Sequence, residues 1–419
     1  MLGCTSNRGA VGRTGFEGGA DGVAVARGDK EAGRERPMAD HGEGFATRAV
    51  HAGEAPDAQT GAHGTPIYQN TTFALGSWER FNAVYEGDDS IYLYSRDLNP
   101  TVRRLEEKVR DLEGAEECVA LASGMAAISA TALTIGAGAH GVVSDQVYNT
   151  ANLLISEDLP THGMRFSRVD VNDFAAVEAA IEPETRFLYT EVVANPTLKV
   201  ADIAALAQLA HAHGLLLVVD NTFLSPAICR PIEHGADIVI HSATKYLAGH
   251  GEVLGGVVSG RREVLAPIRT KSLRLGGALS AFGAWVILTG IRTLPLRAER
   301  HVGNALAVAT YLRGQGDVVS VHYPGLPDDP GYPTAARLFG EEHGFGGMVS
   351  VRFRGGEPAM AAFVEELRLV TFATSLGDTA SLAWPIHGTD LLRLSIGIED
   401  APDIVADLDR AMVAARHVG

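Results

Sequence analysis

Between about residues 100 and 260 the chain alternates short, nearly continuous apolar runs with longer windows of helical period. The runs are CVALAS (118–123), HGVVSD (140–145), RFLYTE (186–191), LLLVVD (215–220), DIVIHS (237–242) and GGVVSG (255–260). Strands that are apolar on both faces belong in a parallel sheet covered by helices, so the pattern predicts an α/β fold. One intervening window, VADIAALAQLAHAHG (200–214), has helical period and ends at a glycine stop signal. Polar residues gather just past the strand ends: Ser123 and Gly124, Glu191, Asp220, and Ser242 to Lys245. That carboxyl edge is where open α/β sheets bind ligands.

A long helical window at 279–312 leads into shorter strands, GGMVSVRFRG (346–355) and LLRLSIG (391–397), separated by helices. This predicts a smaller α+β C-terminal domain over 296–419, after a large domain at 101–295 and an arm at 44–100. Residues 1–43 are rich in Gly, Arg and acidic side chains without hydrophobic period, which predicts a disordered tail. Met38, at the end of that tail, is the expected site of translation start.

Composition narrows the classes. With 419 residues, 46% of them hydrophobic, the chain can bury a large core. The net charge is −16, from 35 basic and 51 acidic residues, and no Lys/Arg block interrupts it, so nucleic acid is not an expected partner. Cys4, Cys118 and Cys229 are too few and too scattered for a disulfide framework or a cysteine metal site, and a reducing cytoplasm fits best. No apolar run approaches the roughly 18 residues of a membrane helix, so no membrane partner is expected. His211 and His213 read as a solvated helix face and His241 and His250 as flanks of a loop, so no metal is expected.

The stretch HSATKYLAGHGEVLGG (241–256) sets Lys245 among hydroxyls, small residues and glycines, directly after a buried strand. Partial burial disfavours an ammonium, lowers its pKa and makes the amine a nucleophile for a carbonyl. The plainer alternative is a lysine whose stem packs while its head reaches water. Asp220 closes the most apolar strand, where it either caps a neighbouring helix or holds a protonated ring nitrogen. Together, a lysine for a Schiff base and an acid for a pyridinium are the parts of a pyridoxal phosphate (PLP) site. ASGMAAI (122–128) supplies a strand-to-helix turn whose backbone N–H groups suit a phosphate, though many βα loops contain such a glycine.

YSRDLNPT (94–101), ASGMAAI, ANPTLKVADI (194–203), VVDNTF (218–223), DIVIHSATKYLAGH (237–250), YPGLP (323–327), GFGGMVS (344–350) and LLRLSIGIED (391–400) follow one another in the order of a known family. From about Phe45 onward the chain resembles the Cys/Met-metabolism, or transsulfuration, family of PLP-dependent enzymes. The resemblance implies PLP-dependent transferase fold type I, with a mostly parallel sheet in the large domain. It also implies roles. Lys245 would form the Schiff base with PLP and shuttle protons, Asp220 would keep the pyridine nitrogen protonated, and Tyr148 would stack on the ring. Ser123, Gly124, Met125, Ser242 and Thr244 would hold the phosphate, and Tyr94 and Arg96 would reach it from a neighbouring subunit of a homo-oligomer, a dimer of dimers. Arg393 would clamp the substrate α-carboxylate with Ser375 beside it, and Asn195 would lie beside the cofactor's phenolic oxygen, contacting cofactor and substrate.

The implied reaction is γ-elimination or γ-replacement on an O-activated homoserine, methionine or cystathionine, through a vinylglycine-type intermediate. Alternatives are β-elimination from cystathionine or cysteine, capture of that intermediate by a non-sulfur nucleophile, and a PLP-fold protein without turnover. The chain departs from the family pattern at DQVYNTANLL (145–154), where a Tyr-Gly turn is usual, and at TEVVANP (190–196), which keeps Glu191. It departs again at AWPIHGTDLLRLS (383–395), which reaches Arg393 without the usual longer insert. That shortening bears on the substrate's distal end.

Overall fold

A computed structural model describes residues 42–417. The tail and the start at Met38 therefore lie outside the described residues, apart from positions 42 and 43. Seven strands form the larger sheet: β1 Glu117–Leu121, β2 His140–Ser144, β3 Arg165–Val169, β4 Thr185–Glu191, β5 Leu216–Asp220, β6 Ile238–His241 and β7 Gly256–Gly260. Their order is β1-β7-β6-β5-β4-β2-β3. Successive side chains of a strand point to opposite faces, and each face has its own core. Leu217, Val219 and Val239 pack with Leu105, Val109, Ile203 and Leu206 on one side. Val218, Ile238 and Ile240 pack with Ala127, Ile128, Leu265 and Ile268 on the other. Each fully buried aliphatic side chain contributes roughly 1.5–3 kcal/mol, which is why both faces read as apolar in the sequence.

Two features correct the sequence pattern. β7, expected as one more parallel strand, runs antiparallel to both β6 and β1. The lysine loop connects β6 to β7 with no crossover helix, and a direct return can only come back antiparallel. β3 is absent from the apolar runs because, at one edge of the sheet, it exposes Arg165 and Arg168 to solvent.

The second sheet has five strands, β8 Val318–His322, β9 Met348–Phe353, β10 Thr371–Phe372, β11 Leu382–Pro385 and β12 Leu391–Ser395, in the order β10-β11-β12-β9-β8. All its pairings are antiparallel except β10 with β11. The window at 279–312 divides into the helices Ala281–Ile291 and Leu294–Arg313, with Pro295 in the first turn of the second. Proline is tolerated there because the first N–H groups of a helix have no partner within it. The helix Leu294–Arg313 serves both sheets: Leu294 and Ala298 belong to the larger sheet's core, and Ala305, Val308, Ala309 and Leu312 to the smaller one's. Residue 296, the expected domain border, falls in its first turn.

Candidate active site

The carboxyl ends of β4, β5 and β6 and the loops beyond them bring most of the expected residues together. Lys245 lies in the loop after β6, where its Nζ donates to Ser375 Oγ at 2.8 Å. Desolvation, followed by the nearby Arg393 guanidinium, lowers its pKa, the direction a nucleophilic amine needs. Asp220, at the end of β5, is 8% exposed and accepts the Thr222 N–H at 2.9 Å. Thr222 Oγ1 accepts the Ser242 N–H at 2.8 Å, which ties the acid to the lysine loop.

Register places Asp220 opposite Glu191 on β4, so two buried carboxylates stand side by side. Burial raises both, and the Asp220 charge helps push Glu191 up to about 8. Glu191 takes two backbone donors, the N–H of Tyr148 at 2.7 Å and that of Asn195 at 2.8 Å. Asn195 Oδ1 in turn accepts from Arg393 at 2.9 Å. Arg393, on β12, also donates to the Ser375 carbonyl at 3.1 Å. Ser375 has a φ of +96°, a strained conformation for a residue with a side chain. Desolvation brings Arg393 down to about 10.

Ser123 caps the helix Gly124–Ile135 by accepting the Ala126 N–H at 3.1 Å. This turn is packed to backbone contact. A Cβ on Gly124 would lie 2.8 Å from Ser242 Cβ, and one on Gly256 would lie 2.1 Å from the Ser123 carbonyl oxygen. Thr244 Oγ1 accepts the Gly255 N–H at 3.0 Å and donates to the Gly255 carbonyl at 3.2 Å, anchoring the other end of the lysine loop. Met125 opens the same helix beside Gly124.

Residues 46–388 match the family described as Cys/Met metabolism PLP-dependent enzyme. The chain belongs to this family. It is 39% identical to the L-methionine gamma-lyase of Pseudomonas putida over 89% of this chain and 98% of that one. It is 38% identical to the O-succinylhomoserine sulfhydrylase of Pseudomonas aeruginosa over 89% of this chain and 96% of that one. Among solved structures, the cystathionine gamma-lyase of Lactobacillus plantarum complexed with L-serine is 38% identical and superposes with a TM-score of 0.83, covering 89% of this chain and 100% of that one. The architecture is therefore that of a PLP-dependent transferase of fold type I, and the chain is a PLP-dependent enzyme.

The residues present suit that cofactor. The cradle formed by Ser123, Gly124 and Ser242 has no room for a methyl group on either glycine facing it, and it brings backbone N–H groups to a helix N-terminus. The Nε of Arg393 is buried without a hydrogen-bond partner among the described residues, a donor left free for a bound group. Lys245 forms no ion pair among the described residues, and Asp220 is a buried acid on β5, the strand paired with β6, which Ser242 of the cradle directly follows.

Tyr148 stands apart from the buried set, being 43% exposed at the start of the helix Asn149–Leu153. Tyr94 and Arg96 form a separate exposed pair, with the Arg96 guanidinium 5.3 Å from the Tyr94 ring centroid. Neither hydrogen-bonds to the Lys245 group among the described residues. Of the four histidines, His241 and His211 bond to Glu113 and Asp237, His213 meets Glu178, and His250 bonds to a backbone carbonyl. In the segment 383–395, Trp384 on β11 lies directly opposite Arg393. Sequence reading gave no role to Glu191, Thr222 or Gly256. The available signals were their places, at a strand end, two residues past Asp220, and at the start of β7.

Proposed function

We propose that this enzyme removes or replaces the group on Cγ of an α-amino acid such as an O-activated homoserine, methionine or cystathionine. One observation carries the assignment of roles: Lys245 Nζ and the Arg393 guanidinium both bond to Ser375, the first to its side chain and the second to its carbonyl. An α-carboxylate held by Arg393 therefore sets its Cα beside an uncharged-prone amine. The names of the similar proteins, two gamma-lyases and a sulfhydrylase, support chemistry at Cγ over chemistry at Cβ.

When bound, PLP supplies an electron sink for the charge that develops on the substrate. Lys245 anchors it and, once freed, carries protons between substrate Cα and Cβ. Its lowered pKa keeps a share of the amine neutral for that task. Asp220, held by Thr222, accepts the ring N–H, and its burial strengthens the pair. Ser123, Gly124, Met125, Ser242 and Thr244 orient the phosphate. Arg393 fixes the carboxylate through its planar fork, with Asn195 and Ser375 setting the plane. Tyr148 would stack on the ring and supply a proton to the leaving group.

Tyr94 and Arg96 serve the phosphate of a neighbouring copy in a homo-oligomer, which accounts for their exposure. Trp78, Tyr85, Leu254 and Phe282 are exposed apolar side chains that such an assembly would cover. The enzyme works in the cytoplasm. A panel of L-methionine, O-succinylhomoserine, cystathionine and L-cysteine tests the reaction. Release of 2-oxobutyrate from L-methionine, O-succinylhomoserine or cystathionine is expected, and pyruvate from cystathionine or L-cysteine with no 2-oxobutyrate from any substrate would overturn the Cγ assignment.

A further inference from the structure

Five hydrogen bonds run unbroken across the cleft. The Tyr148 N–H donates to Glu191 Oε1 at 2.7 Å and the Asn195 N–H to Glu191 Oε2 at 2.8 Å. Arg393 donates to Asn195 Oδ1 at 2.9 Å and to the Ser375 carbonyl at 3.1 Å, and Lys245 Nζ donates to Ser375 Oγ at 2.8 Å. Tyr148 and Asn195 are 47 positions apart, from 148 to 195, on loops after different strands, and the Glu191 carboxylate is their common partner. We infer that Glu191 is a positioning residue that locks the ring-facing Tyr148 and the Asn195–Arg393 carboxylate clamp into one frame.

The geometry supports a strap rather than a packing contact. Glu191 is 6% exposed and uses one oxygen for each loop, so neither loop can shift without breaking a bond to a buried carboxylate. Burial raises the pKa of Glu191, as the neighbouring Asp220 charge also does, while the two backbone N–H groups and the Arg393 guanidinium act in the opposite direction. An amide at this position has only one acceptor oxygen and turns an NH2 toward the second N–H, which breaks one arm. A methyl group breaks both.

Resting on the function proposed above, the test uses PLP-loaded parent, Glu191→Gln and Glu191→Ala enzymes titrated with L-norvaline, which has no group to lose from Cγ. Two readouts are followed: the circular dichroism of the bound cofactor's visible band, which reports the Tyr148 face, and the norvaline dissociation constant, which reports the clamp. Glu191→Ala should change the dichroic band and raise the dissociation constant by about tenfold or more, with Glu191→Gln intermediate in both. A variant in which one readout moves while the other stays within twofold of the parent overturns the coupling, and so does one in which neither moves. If Glu191→Ala does not fold, Glu191→Gln decides by the same criterion. A parent that takes up no PLP would sink the assigned cofactor site itself, an outcome distinct from failure of the strap.

Discussion

Gly256→Ala offers a test of the phosphate cradle that leaves every side chain of the site in place. The added methyl would lie 2.1 Å from the Ser123 carbonyl oxygen, 2.5 Å from its carbon and 2.8 Å from the Gly124 nitrogen. An ordinary C···O contact is about 3.3–3.6 Å, so strand and turn must part by more than about 1 Å. The Ser123 carbonyl cannot rotate away freely, since it accepts the Ala127 N–H at 3.1 Å in the first turn of the helix, and Gly256 is held by its register with Leu121. Overpacking costs about 1–3 kcal/mol, and a clash between two backbones belongs at the upper end. If that strain opens the cradle, PLP binds about 100-fold more weakly, the equivalent of about 3 kcal/mol. The assay is the PLP dissociation constant from quenching of tryptophan fluorescence, with far-UV circular dichroism to verify the fold. Gly303→Ala is the control: it lies exposed in the helix Leu294–Arg313 with nothing within 4 Å of its added Cβ, and should stabilise by roughly 1 kcal/mol without altering PLP affinity. A folded Gly256→Ala enzyme that binds PLP within twofold of the parent refutes the cradle as described.

Arg393→Lys keeps the charge but not the fork to Asn195 and the Ser375 carbonyl, so KM should rise by about 10- to 100-fold with a smaller loss in kcat, and an unchanged KM would remove the clamp role. Glu191 holds its proton in the folded chain from its ordinary 4.5 up to about 8, while the unfolded chain releases it, so stability falls as pH rises through that window. Glu191→Gln has no proton to lose. In cofactor-free protein its stability relative to the parent should improve by up to about 1.4 kcal/mol per pH unit across that window, and parallel denaturation curves at pH 5, 6.5 and 8 would contradict the raised pKa. Mixing Arg96→Ala chains with Lys245→Ala chains should restore part of the activity under proven subunit exchange, because some mixed dimers carry one site with both residues intact. A mixture that stays inactive places Arg96 outside the neighbour's site.

The sequence was most legible where one physical demand dominates. β1, β2, β4, β5 and β6 are buried on both faces, and their apolar runs matched the observed strands within a residue or two. Lys245 and Asp220 stand out because a lysine or an acid near the end of such a run is out of place in local terms, and Ser123 and Gly124 because they open a strand-to-helix turn. β3 was missed because an edge strand with exposed Arg165 and Arg168 has no such run. The direction of β7 depends on how its connection returns, which its own residues do not record. Glu191 was visible as a strand-end acid, but its partners are backbone N–H groups at 148 and 195, and no side-chain pattern announces those. A role for Tyr94 and Arg96 was implied only by resemblance, because their geometry within one chain is that of an exposed pair.

The helix Leu294–Arg313 begins in one core and ends in the other, and Arg297 pins its first turns to the lysine loop through the carbonyls of Tyr246 at 2.8 Å and Leu247 at 3.5 Å. A chimaera that joins this chain to a relative at residue 296 would cut the rod in its first turn, part Leu294 from Ala298 within one core, and mate an unmatched guanidinium with the loop that carries Lys245. Recombination between homologues should therefore tolerate junctions before Ala281 or beyond Arg313 far better than any between them. The segment from the start of one helix to the end of the next is inherited as a block, since its two ends answer to different neighbours.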